Sequence, residues 1–373
     1  MLSTQKYENV FNLVKPGDRS EIPVFPHLLT YPATYAGMTQ KEIIDSPQAW
    51  MAALDKFIEG IGKPDVCIST PPGDVIFLMG LEARRPGYEI GENEQYQFIE
   101  KPQMDVADYE DIIKNGWLKW YDSYVGRIQS PPIKSGLGVT MRWIKVGVNS
   151  GKVCKFLARR DIAPLSHSAL APVFDTLSMV RSFMDFCYDL EDRPGLVHDV
   201  LRRGTPEQIK LTIANVKRAK GDKAGIFAMR SDMNAISPGI FDEFVFPYLN
   251  EIITGFHKAG IRCVLHADGN WAPVLDRFLS VPKGSVMFEF DGVTDIFKAS
   301  EILAGHLSMR GDVPNTMLAF GSYDEVREYC ERLVTEIGMK NGGFMLASGC
   351  EVPLNSKAEN VRAMFDSVAV APA

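Results

Sequence analysis

A histidine, an aspartate and a cysteine in the last third of the chain have the side chains of a metal site. His266 and Asp268 end the apolar segment "CVLHADGNW" (263–271), and Cys350 follows a second apolar segment in "GGFMLASGCEVP" (342–353). In an extended strand, residues two apart point to the same side, so His266 and Asp268 can aim at one point. Imidazole, carboxylate and thiolate are all zinc ligands, and a catalytic zinc site keeps one position open. The same residues also fit a strand end with a capping aspartate and a hydrogen-bonded histidine, so both interpretations stay open.

Other polar residues also come directly after apolar segments. Asp232 follows "GIFAM" (225–229), where it is a candidate catalytic base or a capping carboxylate. The aromatic residues near the same segment ends are candidates for an apolar pocket, although each of them taken singly also fits a core position. Glu289 and Asp291 are candidates for a further metal ligand or for a hydrogen-bonding partner of the ligands. The expected substrate-binding residues are His27, Tyr31, Trp271, Glu289 and Asp291.

The elements that would position these residues alternate between strands and helices from about residue 205 onward. The predicted strands cover 225–229, 261–266, 285–290, 307–310 and 343–347, and the predicted helices cover 205–220, 237–260, 272–280, 295–304, 322–338 and a segment from 356. Three of these helices begin with a capping box, at Thr205, Ser322 and Ser356. Alternation over this length indicates parallel strands with helices packed outside, in a closed barrel or a doubly wound sheet.

Two further patterns favour the barrel. No Gly-x-Gly-x-x-Gly follows the first strand and no Walker-type glycine loop occurs, which weakens a dinucleotide or nucleotide site. The polar residues at the strand ends would meet on one rim of a barrel, where active sites lie. The fold class expected is α/β, a single (β/α)8 TIM barrel over 1–373.

The middle of the chain is less regular. Residues 139–158 alternate on both sides of Asn149-Ser150-Gly151, which predicts an antiparallel hairpin inserted on the barrel. Residues 84–135 are rich in proline, glycine and aromatic residues, and we expect loops and short helices around the rim. The predicted insertion and rim loops together span 84–160.

Composition excludes several other classes of protein. The formal net charge of −7 is spread along the chain without a basic stripe, so nucleic acid is not expected as a partner. No run of eighteen apolar residues and no signal-like start occur, so we expect no membrane partner and a cytoplasmic location. The six cysteines are too sparse for a disulfide framework. No Gly-x-Ser-x-Gly is present, so a serine nucleophile is not expected.

Several blocks of the sequence resemble the uroporphyrinogen decarboxylase superfamily, including its corrinoid-dependent methyltransferase branch. The resemblance covers nearly the full length and rests on "RSEIPVFPHL" (19–28), "SDMNAISPGIFDEFVFPYLNEII" (231–253), "CVLHADGN" (263–270) and, most specifically, "FDGVTDIFKASEILAGHLSMRGDVPNTMLAFGSYDEVREYC" (290–330) and "GGFMLASGCEVPLNSKAENVRAM" (342–364). It implies a single (β/α)8 barrel. Decarboxylase members carry an arginine-containing segment after the first strand that pairs with substrate carboxylates, whereas "HLLTYPATYAGM" (27–38) contains no arginine. This difference argues against decarboxylation.

Methyltransferase members that act on coenzyme M resemble the chain at a zinc site of the type His-x-Cys…Cys. The histidine matches His266, the distal cysteine matches Cys350, and Asp268 stands where the family has its middle cysteine. With one thiolate replaced by a carboxylate, zinc becomes a harder ion that suits an oxygen more than a sulfur.

The resemblance therefore implies a methyltransferase with zinc at His266, Asp268 and Cys350. Asp232, from its place after an apolar strand, is a further catalytic candidate. We expect O-demethylation of a small methoxylated aromatic compound, with the methyl group passing to the cobalt of cobalamin on a separate corrinoid carrier protein. The carrier must be separate because the chain has no Asp-x-His-x-x-Gly signature for a cobalamin of its own. The alternatives are a methylcobalamin-to-thiol methyltransferase, a uroporphyrinogen-type decarboxylase and a barrel that binds without chemistry. Barrels of this family often form homodimers, and the sequence leaves the oligomeric state of this chain open.

Overall fold

The structure, a computed structural model, describes residues 1–369 and contains one large parallel sheet. This sheet has seven strands in the order β1-β11-β10-β9-β8-β7-β6. Two small sheets accompany it, a parallel pair of β2 with β5 and an antiparallel pair of β3 with β4. The strands are β1 (Val24–His27), β2 (Val66–Cys67), β3 (Ala83–Arg84), β4 (Gln97–Phe98), β5 (Ala163–Pro164), β6 (Ser168–Leu170), β7 (Lys223–Ala228), β8 (Arg262–Ala267), β9 (Val286–Phe290), β10 (Ser308–Val313) and β11 (Phe344–Glu351).

Helices connect the strands and cover the outside of the sheet. They are α1 (Ser3–Phe11), α2 (Tyr31–Ala36), α3 (Gln40–Asp45), α4 (Pro47–Gly60), α5 (Pro72–Leu78), α6 (Val106–Asn115), α7 (Trp117–Ile128), α8 (Gly136–Ala158), α9 (Val173–Val180), α10 (Phe183–Asp192), α11 (Pro194–Arg218), α12 (Pro238–Ile240), α13 (Phe246–Lys258), α14 (Ile296–Leu303), α15 (Asn315–Phe320), α16 (Tyr323–Arg332) and α17 (Ala358–Asp366). Short 3-10 segments lie at Arg19–Glu21 and Ala272–Ser280, and π-helical turns at Phe241–Val245 and Leu333–Met339. No helix within residues 1–369 combines the length and apolar character needed to cross a membrane.

The large sheet curls into a half-barrel of the TIM-barrel type. All its strand pairs are parallel, and the residues of β9 and β10 are buried along their whole length. Parallel strands covered on both faces are expected to be near-continuous apolar runs, as in "VMFEF" of β9. The carboxyl ends of the strands therefore collect on one edge of the curled sheet.

Helix α1 closes the opposite edge. Its Glu8 forms ion pairs with Lys223 and Arg262, which are the first residues of β7 and β8. Tyr7 on the same helix donates a hydrogen bond from its hydroxyl to the carbonyl oxygen of Leu165 at 2.7 Å. With the amino ends occupied by α1, the carboxyl ends are the edge available for a functional site.

The predicted hairpin over 139–158 is wrong, because these residues lie within α8, a helix of 23 residues. Its buried residues Val139, Val146, Val153 and Leu157 repeat at helical spacing, while a second set of apolar residues faces solvent. Two apolar faces on one helix imitate the alternation of a strand, and this explains the error. The antiparallel pair that does occur, β3 with β4, is a small addition elsewhere in the chain.

Several element boundaries also differ from the prediction. Helix α11 begins at Pro194 and continues through Pro206, so Thr205 is a buried helix residue and not a cap. Lys357, without a side-chain cap, precedes α17, so the capping box at Ser356 is wrong as well. The capping box of Ser322 with Glu325 is confirmed. The last strand extends to Glu351, which places Cys350 in a strand and not in the loop after it.

Candidate metal site

His266, Asp268 and Cys350 come together at the carboxyl edge of the curled sheet. His266 lies at the end of β8, Asp268 follows that strand, and Cys350 lies near the end of β11. One ligand atom of each residue lies within 4.8 Å of those of the other two. The three residues approach because β8 and β11 belong to one curled sheet, although 84 positions separate His266 from Cys350 (350 − 266 = 84).

The imidazole of His266 lies between two carboxylates. Its Nε2 atom is 3.0 Å from Oδ1 of Asp268, and its Nδ1 atom is 2.9 Å from Oε2 of Glu289. Burial by itself lowers the pKa of His266, but Glu289 and Asp268 outweigh burial and hold that pKa well above its usual value. A carboxylate behind one ring nitrogen fixes which nitrogen is free to face a metal, as is common for metal-binding histidines.

Glu289 is itself supported by a buried arginine. The parallel register places His266 opposite Glu289 and Glu289 opposite Arg310, so the three form a row across β8, β9 and β10. Arg310 is fully buried, forms an ion pair with Glu289 and lies 4.3 Å from the ring centroid of Phe25. Burial raises the pKa of Glu289, but Arg310 and His266 outweigh it and lower that pKa to about 2. Glu289 is therefore an anion that orients His266.

His27 lies on the other side of Glu289. Its Nδ1 atom is 4.0 Å from Oε1 of Glu289, and its backbone N–H donates to Oγ of Ser348 at 2.9 Å. Burial lowers the pKa of His27 to about 4, so its imidazole is neutral at pH 7. The Nδ1 atom of His27 has no hydrogen-bond partner within residues 1–369. A neutral, unpaired imidazole at the strand ends is suited to contact a small ligand.

Two aspartates hold the loop that carries Asp268. Oδ1 of Asp232 accepts hydrogen bonds from the backbone N–H groups of Asn234 at 2.8 Å and Asn270 at 3.1 Å. Oδ2 of Asp291 accepts from the N–H of Gly269 at 2.8 Å, and burial raises the pKa of Asp291. Gly269 has φ +86°, and a Cβ atom there would lie 2.4 Å from Cγ of Asp232. In this position both aspartates fix the loop, and their predicted contact with substrate or proton transfer stays a prediction.

Trp271 and Tyr31 are packed into the core. Trp271 is fully buried against Phe241 and Phe278, and its Nε1–H donates to the carbonyl oxygen of Asp268 at 2.8 Å. Tyr31 is buried with its ring 6.2 Å from that of Phe57. Trp271 thus holds the backbone of Asp268 through this hydrogen bond. A contact of either ring with substrate stays a prediction.

Arg310 and the surroundings of Glu351 also belong to this edge of the sheet, and neither was predicted from the sequence. Glu351 accepts a hydrogen bond from the backbone N–H of Thr30 at 2.9 Å, and the hydroxyl of Tyr96 lies 3.5 Å from its Oε2. Burial raises the pKa of Glu351, which follows Cys350 directly. A charged residue inside an apolar strand, as in "LSMRGDV", was the available signal for Arg310, because arginine is seldom fully buried without a partner.

The donor set fits a zinc ion. Zinc at about 2.0–2.3 Å from each ligand in a tetrahedron separates its ligand atoms by roughly 3.5 Å. The three donors here lie within 4.8 Å of one another, and Nε2 of His266 is 3.0 Å from Oδ1 of Asp268. Three protein ligands leave a fourth position for substrate. Burial raises the pKa of the Cys350 thiol to about 11, so zinc binding must displace the proton of that thiol.

Two comparisons with known proteins return matches. The family model described as Uroporphyrinogen decarboxylase (URO-D) matches residues 152–370. Among solved structures, a methyltransferase from Methanosarcina mazei is 16% identical, with 99% of this chain and 98% of that chain covered and a TM-score of 0.68. At this identity the structural likeness establishes a shared fold. No curated protein sequence matches the chain.

Proposed function

Since the chain belongs to the uroporphyrinogen decarboxylase family, we propose that it is a zinc-dependent methyltransferase that serves a separate corrinoid protein. The favoured methyl donor is a small methoxylated aromatic compound, so the reaction is an O-demethylation. The observation that carries the proposal is the group of His266, Asp268 and Cys350, whose donor atoms lie within 4.8 Å of one another. A decarboxylase of a polycarboxylate has no need of such a donor set.

The three residues would hold the metal, and their surroundings prepare them for it. Glu289 orients His266, and Asp232 with Asp291 fixes the backbone that directly follows Asp268. When bound, zinc supplies a Lewis acid that stabilises negative charge on a leaving oxygen, which is worth several kcal/mol. The fixed carboxylates reduce the reorganisation that ligand binding would otherwise require.

The nature of the donors favours an oxygen over a sulfur. Two thiolates make zinc electron-rich, whereas the set here has one thiol, one imidazole and one carboxylate. In the proposed reaction, the bond between the methyl carbon and the ether oxygen breaks and its electron pair stays on the oxygen. The methyl group passes to cobalt(I) of the carrier, whose electron pair forms the new bond. The phenolate then takes a proton from water.

We also propose that the parallel strands complete one (β/α)8 barrel in a single domain over 1–373, with 84–160 as an insertion and rim segment. A backbone hydrogen bond between the two parallel sheets supports closure. The N–H of Asp65, which directly precedes β2, donates to the carbonyl oxygen of Val24 in β1 at 3.0 Å. Strands β2 and β5 would then fill the gap between β1 and β6, the two edge strands of the large sheet.

The uroporphyrinogen-type decarboxylase has weaker support from the charges at the strand ends. Such an enzyme needs cations that face the carboxylates of its substrate. Arg310 is paired with Glu289, and Arg230, which follows β7, is paired with Glu100 through both terminal nitrogens at 3.0 Å. The thiol methyltransferase uses the same donor set and differs only in the acceptor.

Two measurements test the proposal. Metal analysis of the purified protein should give about one zinc per chain, lost in His266→Ala and Cys350→Ala and retained in the matched variants His257→Ala and Cys187→Ala. Mixing the protein with a reduced corrinoid protein should consume the cobalt(I) absorption band with methoxyarenes and not with methylamines or thiols. The metal site is refuted if the wild type contains only a trace of zinc, or if His266→Ala and Cys350→Ala contain as much zinc as the wild type. Consumption of cobalt(I) by another donor alone refutes the ether.

A further inference from the structure

Helix α8 carries an exposed apolar stripe. Leu137, Met141, Ile144 and Val148 are each more than half exposed, and they follow one another at intervals of four, three and four residues. This spacing is that of a coiled-coil seam, in which one helix packs along another. Exposed apolar residues on a protein surface are ordinarily scattered, and a contiguous group marks an interaction site.

The stripe is separate from the face that α8 packs against its own protein. That face is formed by Val139, Val146 and Val153, all buried. On the outer face, a Cβ atom built on Gly147 or Gly151 would meet no atom within 4 Å. The two glycines therefore leave space beside the stripe into which side chains of a second helix can insert.

The positive charge of α8 indicates which charge the partner's surface carries. The helix contains no acidic residue, and Lys145, Lys152 and Lys155 are exposed and form no ion pair within residues 1–369. This local positive charge contrasts with the net charge of −7 for the chain. A second copy would bring lysine against lysine in a parallel or an antiparallel arrangement. The complementary surface is an apolar helical seam bordered by aspartate and glutamate.

The apolar half of α8 packs beside α5 at the carboxyl end of β2, and in the proposed barrel this end belongs to the edge that carries the metal-ligating residues. Nη1 of Arg142 donates to Asp74 at 2.7 Å, and Nδ2 of Asn149 donates to the same carboxylate at 2.9 Å. Asp74 lies in α5, which follows the carboxyl end of β2, whereas the end of α8 leads into the amino end of β5. A protein seated on the stripe would therefore stand beside the mouth of the site.

We propose that α8 is the docking surface for the corrinoid-carrying protein, through an acidic helical seam on that protein. This inference rests on the proposed function, which requires a carrier to reach the strand ends. It adds which surface of the chain the carrier contacts and which chemistry the carrier presents there. Because lysines contribute at long range, they raise the rate of encounter, while the apolar stripe holds the complex.

The test compares a protein-bound acceptor with a free one. For Lys145→Glu/Lys152→Glu/Lys155→Glu and for Ile144→Asp, the KM for the reduced corrinoid protein should rise at least about tenfold. The rate with free cob(I)alamin should stay at the wild-type level, which also shows that the variants are folded. The matched variants Lys258→Glu and Ile302→Asp, on other helices, should leave the KM for the carrier unchanged. Added salt should raise the KM of the wild type more than that of the triple lysine variant.

Every other result overturns the inference in an identifiable way. An unchanged KM for the carrier with activity intact removes α8 from docking and leaves the proposed function standing. If the wild type transfers no methyl group to either the carrier or free cob(I)alamin, the proposed function is refuted, and the docking site with it. A wild-type dimer that Ile144→Asp separates in sedimentation assigns the stripe to a second copy. Binding to phosphatidylserine vesicles that the lysine variant loses, with the carrier KM unchanged, assigns it to a membrane surface.

Discussion

The Nδ1 atom of His266 lies 2.9 Å from Oε2 of Glu289, so one nitrogen of the ring is in contact with a carboxylate. The other nitrogen faces Asp268, and Cys350 completes the group. Glu289 is in turn paired with the buried Arg310. The orientation of the candidate ligand therefore depends on a charged row that runs across three strands.

The first prediction concerns Glu289. In Glu289→Gln the side chain loses its charge, so His266 is held less firmly, and zinc affinity should fall about 10-fold to 100-fold. Competition with a chromogenic chelator measures this affinity. Glu301→Gln, at an exposed position of α14, is the control and should bind zinc like the wild type. Equal affinities for the two variants would show that Glu289 does not support the ligand.

The second prediction concerns Asp268. Asp268→Cys should keep zinc, because it gives the site a second thiolate, but it should reduce the methoxyarene rate relative to the thiol rate at least about tenfold, a difference of roughly 1.4 kcal/mol in the barrier. The two rates are measured on the same zinc-loaded preparation. Asp268→Ala serves for comparison and should lose zinc and both activities. An unchanged ratio in Asp268→Cys would contradict the argument from donor hardness.

The third prediction concerns the loop held by Asp232. Gly269→Ala places a Cβ atom 2.4 Å from Cγ of Asp232 at a backbone φ of +86°. The variant should lose about 1–3 kcal/mol of unfolding free energy. Gly147 lies in the middle of α8, where a Cβ atom would meet no atom within 4 Å. Gly147→Ala should therefore raise the unfolding free energy by roughly 0.5–1 kcal/mol. Urea denaturation followed by circular dichroism separates the two, and a Gly269→Ala protein as stable as the wild type would refute the close approach.

The fourth prediction concerns Asp175, a fully buried carboxyl on α9. Burial raises its pKa to about 7, even though it accepts hydrogen bonds from the N–H of Arg230 at 2.9 Å and the hydroxyl of Ser231 at 2.8 Å. An unfolded aspartate has a pKa of about 3.9. The folded state therefore holds the proton more tightly, and the contribution of this group to stability is present at low pH and is lost as pH rises from about 4 to about 7.

Asp175→Asn should flatten this dependence by at most about 4 kcal/mol between those pH values. The urea midpoint measured against pH gives the slope for each protein. A slope will persist in the variant, because burial also raises the pKa of Asp312 to about 7. The exposed Asp192→Asn is the control and should follow the wild type. A wild-type slope in Asp175→Asn would show that Asp175 is already ionised in the folded state at low pH.

Local sequence signals predicted those elements whose stabilising contacts are local. The Ser322–Glu325 capping box and the Ser237 cap lie within a few residues of the groups they satisfy, and both are present. The apolar segments of β8 and β9 are recognisable because both faces of a parallel strand are covered. The prediction was wrong for α8, which has one apolar face against the core and a second one exposed to solvent. Together the two faces produce a pattern that resembles the alternation of two strands.

The sequence by itself determined that His266, Asp268 and Cys350 stand at or shortly after the ends of apolar segments, since residue types and apolar runs are local properties. Only the tertiary structure decided that these side chains meet and that Glu289 and Arg310 stand behind His266. The physical reason is register. Residues far apart in the chain become neighbours when parallel strands pair, and the alignment of one strand with the next depends on the packing of the whole sheet.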